Sequence, residues 1–303
     1  MINFEKKIKN FFRYKILTSK ISYYLYVLII SVLNFKILLK KLKYFIDQGK
    51  NEHQNCKDVI ILKNNGYHSL TDVKFIEQAN FTADYILNRS EKKTLRSENK
   101  NKAFDKILQT EDLLTDEKVF NFVTNDYLIS VIESYLENKP QILHCHVWYS
   151  YNDKDLNNSS QDFHLDYEDR KQIKLFLFLN DVTKDNGPTI AVNKYKSQRI
   201  IKKNNYKLSY GRPARLTDEL VNIEKADCLT GKKGQVYLID TSSVLHCGSR
   251  KSTGVRKVLM AQYVSPYFTT ENKDINNENF LALLKKNKDF EKKSYLFDSI
   301  FLK

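Results

Sequence analysis

Near Pro140 the pattern of apolar and polar positions changes period, and the change divides the chain. Upstream, the apolar residues recur at helical spacing. An uncharged run of fifteen residues, 21–35, lies between clusters of lysines and predicts a first helix. Val59-Ile60-Ile61-Leu62 followed by Asn65-Gly66-Tyr67 predicts a short strand and a turn. A helical pattern then runs from Thr71 to about Asn88, and a charged stretch over 89–102 predicts a loop. Two further helical segments fall at 112–122 and 126–137, and Pro140 closes the second. Downstream the period is two. Over 141–150 the alternation places His144, His146 and Trp148 on one face and Leu143, Cys145 and Val147 on the other. A polar loop over 151–161 follows, then an apolar strand over 173–179, with turn signals at Asn180-Asp181 and Asp185-Asn186-Gly187-Pro188. Further strands are expected at 189–192, 234–240, 243–247 and 255–264, and an amphipathic helix with a lysine-rich face from Glu271 onward. The fold class is therefore mostly β with flanking helices, a closed or two-sheet barrel that leaves few open edges.

Charge sharpens this division. The chain has 303 residues and a net charge of +14, but residues 1–50 hold eleven Lys/Arg against Glu5 and Asp47, a net +9. The rest carries only +5, which argues against a nucleic-acid-binding protein. Three units are expected: a basic, apolar helical segment over 1–55, a main domain over 56–270, and a helical extension over 271–303. The fifteen-residue run is shorter than a membrane span of about 20 apolar residues. Its lysine rim suits a helix lying at an anionic membrane surface through residues 1–48, or one packing on the main domain. Cys56, Cys145, Cys228 and Cys247 form neither a C-x-x-C pair nor a zinc-knuckle spacing. With no cleavable secretory signal evident, the expected location is the cytoplasm, at or near the inner face of the membrane.

The candidate chemistry centres on Phe163-His164-Leu165-Asp166-Tyr167. In extended chain, His164 and Asp166 share one face. A histidine and a carboxylate so placed are two members of the facial triad that binds non-haem Fe(II). His246, at the end of a later strand, is the candidate third ligand, and Arg256, ten residues on, supplies a fixed fork that could clamp a carboxylate. Lys174 stands at the start of an apolar strand, an awkward place for a charge without a partner. It is a candidate contact for an anionic cosubstrate or substrate. Trp148 and His146 are candidate pocket residues, with core packing as the alternative for each.

Four stretches in order carry a family resemblance: Asn65-Gly66-Tyr67-His68; Phe163-His164-Leu165-Asp166; Lys174 to Val182 continuing through Asn186-Gly187-Pro188; and Gly234 to Thr241 with His246-Cys247-Gly248 and Arg256. The run from about 58 to 266 resembles the phytanoyl-CoA dioxygenase family of Fe(II)/2-oxoglutarate-dependent oxygenases. The resemblance implies a double-stranded β-helix of the jelly-roll or cupin kind. It implies His164, Asp166 and His246 as iron ligands and Arg256, aided by Lys174, as the 2-oxoglutarate contact. The implied activity consumes 2-oxoglutarate and O2, releases succinate and CO2, and hydroxylates a small-molecule or a lipid- or sugar-linked substrate. Desaturation or epimerisation on the same metal is the alternative outcome. A non-catalytic, ligand-binding β-barrel at a membrane surface is the alternative class. Halogenating relatives lack the carboxylate ligand; Asp166 is present. The family's Pro-Gly-Ser-His element is absent, and Ala191 to Ser197 stands in its place.

Overall fold

In the computed structural model, the described residues are 7, 8, 11, 12, 19–33, 38, 39, 42, 44–46, 56–94, 104–151, 161–206, 215–248, 253–267 and 278–297. The loops expected over 95–102 and 152–160 lie outside them.

Helices of the first half include α1 (Lys20–Leu33), α2 (Lys57–Asn65), α3 (Val73–Thr94), α4 (Thr110–Leu114), α5 (Glu117–Val123) and α6 (Asp126–Leu136). Their starts are written locally: Asp116 and Asn125 accept hydrogen bonds from the first free amides of α5 and α6. One expectation is overturned. Residues 59–62 are helical, within α2, and not a strand. Val59 and Leu62, three apart, are buried while Ile60 is half exposed, so the burial period is that of a helix. Gly66 ends α2 in the left-handed conformation, with φ +81° and its amide bonded to Leu62 O at 2.8 Å. The strand follows one step later as β1 (Tyr67–Ser69). Likewise α3 runs on to Thr94, beyond the expected end near Asn88, because Arg89 anchors it through Asp116 Oδ2 at 2.9 Å.

The strands are β2 (Phe104–Leu108), β3 (Gln141–Ser150), β4 (Gln172–Phe178), β5 (Thr189–Ala191), β6 (Asp227–Leu229), β7 (Val236–Ile239), β8 (His246–Cys247) and β9 (Arg256–Val264). The large sheet has the order β1-β7-β4-β9-β3-β2, every described pair antiparallel. The small sheet has the order β6-β5-β8. Two antiparallel bridges widen it: His164 pairs with His246, and Phe163 pairs with Leu216. From β3 onward, consecutive strands mostly fall in opposite sheets, so the chain winds between two layers.

The large sheet has two different faces. Cys145, Val147, Leu175, Leu177, Leu259 and Ala261 pack with the helices in the main core. The alternate residues face the small sheet, which is backed by α7 (Lys194–Lys203) and α8 (Asp218–Val221). Residues 191–197 hold the end of β5 and the first turn of α7. The C-terminal helices α9 (Glu278–Leu284) and α10 (Phe290–Lys293) send Phe280, Leu284 and Phe290 into the main core.

Helix α1 is apolar on two sides. Tyr26 and Ile30 are fully buried in a separate cluster with Tyr267, and Tyr23 lies under the Arg170 guanidinium. Ile21, Tyr24, Leu25, Leu28 and Val32 are exposed, and their spacing puts them on one stripe. Among the described residues, no helix is long and apolar enough to cross a membrane.

Candidate metal and cosubstrate site

The site lies between the sheets. The paired backbones of His164 and His246 exchange hydrogen bonds of 3.0 and 3.1 Å, which sets the two rings side by side with centroids 4.4 Å apart. Asp166 is held by its amide, which donates to Thr241 O at 2.8 Å. Thr241 belongs to a tight turn built on Asp240, whose carboxylate accepts from Tyr135, Ser242 and Ser243. Asp166 Oδ1 is 3.7 Å from His164 Nε2, and Oδ2 is 3.6 Å from His246 Nε2. The three residues can each offer one atom such that all lie within 4.8 Å of one another.

Both imidazoles are oriented by backbone. His164 Nδ1 donates to Asp162 O at 2.8 Å, and His246 Nδ1 to Val244 O at 3.0 Å. Those bonds leave each Nε2 lone pair facing Asp166, the tautomer a metal requires. Burial, then the neighbouring His246, pushes the His164 pKa down to about 3. Burial also lowers that of His246. Both rings are therefore neutral at pH 7. Burial alone would raise the Asp166 carboxyl, but Lys174 and the two histidines outweigh it and hold it well below the usual carboxylate range. Two neutral imidazoles and one carboxylate on one side of a common point are the donor set of a facial divalent-metal site with open positions.

A cavity of about 250 Å³ is walled by His164, Asp166 and His246 together with Arg256, Lys174 and Trp148. Arg256, at the start of β9, is 5% exposed. Its Nη1 donates to Thr189 Oγ1 at 2.5 Å and its Nη2 to Ser150 Oγ at 3.3 Å, while Nε makes no hydrogen bond. Two hydroxyls orient this cation and no carboxylate among the described residues neutralises it. Burial lowers its pKa to about 10, so it stays charged. A buried guanidinium without a counter-ion is costly, and it is a ready seat for an anionic ligand.

The remaining sequence candidates divide. Lys174 does reach the cavity, but its Nζ sits 2.7 Å from Asp166 Oδ2, so it pairs with a candidate metal ligand. Trp148 lines the cavity; His146 does not, lying behind it with its Nε2 3.2 Å from Thr110 Oγ1 and its ring edge-on to the indole. Sequence reasoning missed Ser150 and Thr189. Ser150 shares the strand parity of Trp148, and Thr189 follows the Gly187-Pro188 turn, so both were findable once Arg256 was placed in the site. Phe104, Phe176, Val258 and Met260 complete an apolar wall.

No family model matches the chain, and no curated protein matches it in sequence. Solved structures do resemble it. HygX from Streptomyces hygroscopicus, with nickel and 2-oxoglutarate bound, aligns over 75% of this chain and 93% of its own at 13% identity, with a TM-score of 0.50. The epimerase SnoN, in complex with Fe3+, alpha-ketoglutarate and nogalamycin RO, aligns over 69% and 82% at 12% identity, TM-score 0.49. EctD from S. alaskensis aligns over 70% and 77% at 13% identity, TM-score 0.45. At such identities the HygX likeness speaks to fold: two antiparallel sheets with flanking helices, shared over three quarters of the chain.

Proposed function

We propose that this protein is an Fe(II)- and 2-oxoglutarate-dependent oxygenase with a double-stranded β-helix core. The observation that carries the reading is the buried Arg256, without a counter-ion among the described residues, in one cavity with His164, Asp166 and His246. A metal set alone would fit many reactions. A metal set beside such a guanidinium fits a bidentate anionic cosubstrate. The strand order supports the fold reading, because from β4 onward most chain neighbours lie in opposite sheets, as in a jelly roll. The HygX likeness agrees with it. The resemblance to the phytanoyl-CoA dioxygenase family remains one of motif order.

His164, Asp166 and His246 would hold the iron on one face and leave three positions open. Bound there, iron with 2-oxoglutarate supplies oxidative decarboxylation to succinate and CO2, with oxidation of a second substrate. Arg256 binds and orients the distal carboxylate, with Ser150 and Thr189 keeping its fork aimed. The apolar wall of Phe104, Trp148, Phe176, Val258 and Met260 excludes water around the reacting centre. Lys174 compensates the Asp166 charge and restricts its rotation. Hydroxylation of a small molecule is the preferred outcome. Epimerisation uses the same residues and differs in how the substrate is posed; the SnoN structure is described as that of an epimerase.

The exposed stripe of α1 supports a peripheral membrane contact, which would suit a lipid-linked substrate at the inner face of the membrane. The stripe sits in a segment of net charge +9, complementary to anionic lipid headgroups.

The test is succinate formation from 2-oxoglutarate by anaerobically iron-loaded protein exposed to air. Fe(II) and 2-oxoglutarate binding are measured in parallel by calorimetry. Turnover that vanishes in Asp166→Ala, with 2-oxoglutarate binding weakened in Arg256→Met, supports the reading. Failure of wild-type protein to bind both Fe(II) and 2-oxoglutarate overturns it in favour of a non-catalytic barrel.

A further inference from the structure

A second arginine stands beside the metal site, and the chemistry proposed above does not use it. The Phe163–Leu216 bridge is a reciprocal antiparallel pair, with Phe163 N to Leu216 O at 3.2 Å and Leu216 N to Phe163 O at 2.9 Å. Both side chains of that pair are buried on the outer face of the small sheet, in the cluster that takes in α7 and α8. One step along this register, Arg215 falls opposite His164, so both leave the sheet on the inner face, toward the candidate metal. The electrostatics agree with this placement: Arg215 acts on His164, and Asp166, Asp162 and Tyr167 act on Arg215.

Arg215 is only half buried, yet its Nη1 is out of solvent and makes no hydrogen bond. Among the described residues no carboxylate lies within ion-pair distance of it. The acidic groups near it are already committed or solvated. Asp166 is a candidate ligand paired with Lys174, and Asp162 is exposed. The Tyr206 hydroxyl, also beside Arg215, accepts from Leu165 N at 3.0 Å. Arg256 lies across the site on β9 of the large sheet, tethered by hydroxyls from β3 and β5. The two guanidiniums therefore belong to different sheets and flank the metal set from different sides.

The charges of the site leave one cation over. A divalent metal with one carboxylate leaves +1, the 2-oxoglutarate dianion brings this to −1, Arg256 and Lys174 return it to +1, and Glu168, which acts on Lys174 and His246, brings it to zero. Arg215 then adds a positive charge with no ion-pair partner among the described residues. We infer that Arg215 is a substrate-binding residue, and that the oxidised substrate carries an anionic group, a carboxylate or phosphate ester, which its open guanidinium edge receives. A planar fork suits either group through parallel hydrogen bonds. Arg215 does not itself line the cavity and stands beside His164 at its border, so the apolar wall suits a ring or chain as the body of a substrate whose anion reaches past the metal set. The inference rests on the oxygenase reading for what happens next, but binding can be tested apart from turnover.

Wild type, Arg215→Met, Arg215→Lys and Arg256→Met are each loaded anaerobically with Fe(II) and saturating 2-oxoglutarate. Each is titrated calorimetrically with phenyl phosphate, phenylacetate and, as the neutral control, benzyl alcohol. The visible charge-transfer band of the iron–2-oxoglutarate complex is followed as a second readout. At least one anionic probe should bind wild type and perturb the band. That probe should bind Arg215→Met at least about tenfold more weakly and Arg215→Lys at an intermediate level. Equal binding to wild type and Arg215→Met, benzyl alcohol binding as tightly as the anions, or no binding of either anion, overturns the inference. The two proposals fail separately. Loss of 2-oxoglutarate binding in wild type, with an anionic probe still dependent on Arg215, sinks the oxygenase reading and keeps this one. Arg256→Met should weaken 2-oxoglutarate and leave the anionic probe nearly unchanged; the opposite selectivity overturns the assignment of Arg215.

Discussion

Arg256 and Lys174 are both buried cations in one cavity, but their partners differ, and so do the expected effects of removing them. Arg256 has two hydroxyl partners and one unmade bond, so Arg256→Met should leave the fold intact and weaken 2-oxoglutarate binding by about ten- to a hundredfold. Arg256→Lys should recover part of that loss, because an ammonium keeps the charge without the fork. Lys174 has a carboxylate 2.7 Å away. Lys174→Met leaves Asp166 buried and uncompensated, which should cost the metal-free protein about 3 kcal/mol. Adding a divalent metal should return most of that stability, since the metal then supplies the missing positive charge; thermal melts with and without metal check this. These residues also mark the reach of the sequence. His164 and Asp166 were legible through their i, i+2 spacing, His246 through its place at a strand end, and Arg256 through its spacing of ten residues from His246. Arg215 was not, because a pairing across fifty residues leaves no local trace. The partner of Lys174 was equally hidden: parity placed its face, while the ion pair depends on how deep β4 sits against the turn at Thr241.

Among the elements, α2 and the turn after it show how local wording settles a boundary. Asp58 in its first turn accepts from His68 at 2.7 Å, from Thr71 Oγ1 at 3.0 Å and from Tyr127, and so ties α2, β1, the start of α3 and α6 together. Burial opposes its ionisation, but the hydrogen bonds from His68, Tyr127 and Thr71 outweigh it and hold the carboxyl at about 2. A carboxyl held below its unfolded value stabilises the fold at neutral pH, fully above about pH 4. That contribution of about 2 kcal/mol is lost as pH falls from about 4 to 2. Asp58→Asn should therefore be less stable at pH 7 and show a shallower loss over that acid range, as read by denaturant titration at each pH. Gly66 should tolerate no side chain. Its φ is +81°, and a Cβ there would meet Val244 Cγ2 at 2.4 Å. Gly66→Ala should destabilise by about 2 kcal/mol or more and also disturb the turn that aims His246. The run 59–62 misled a reading by residue type because its β-branched members favour strands, whereas the burial of Val59 and Leu62 shows that tertiary packing decided the matter.

For the molecule entire, helices cover one face of a large sheet and a small sheet covers the other. The alternating pattern after Pro140 announced this arrangement well. It foretold that His144, His146 and Trp148 share one face of β3, and their ring contacts agree, although only Trp148 of the three reaches the cavity. It did not foretell which strands pair, since alternation fixes a face and not a neighbour. The two-sided α1 leads to a further expectation. Replacing Leu25 and Leu28 with glutamate should leave the melting temperature nearly unchanged, because both side chains are exposed. It should sharply reduce co-sedimentation with vesicles rich in phosphatidylserine. Retained binding would remove the case for α1 as a membrane contact.

The small sheet is made of strands only two or three residues long, yet it carries both histidines. Few backbone bonds hold it, and the large sheet owns most of the core. An ion joining His164 and His246 to Asp166 would therefore do for this half what a rivet does for thin plate. Stripping the metal should loosen the small sheet first, seen as faster amide exchange at residues 163–166, 189–191 and 246–247, while the helix-backed sheet keeps its protection. The supply of metal in the cell would then set how long each molecule survives proteolysis as well as whether it turns over.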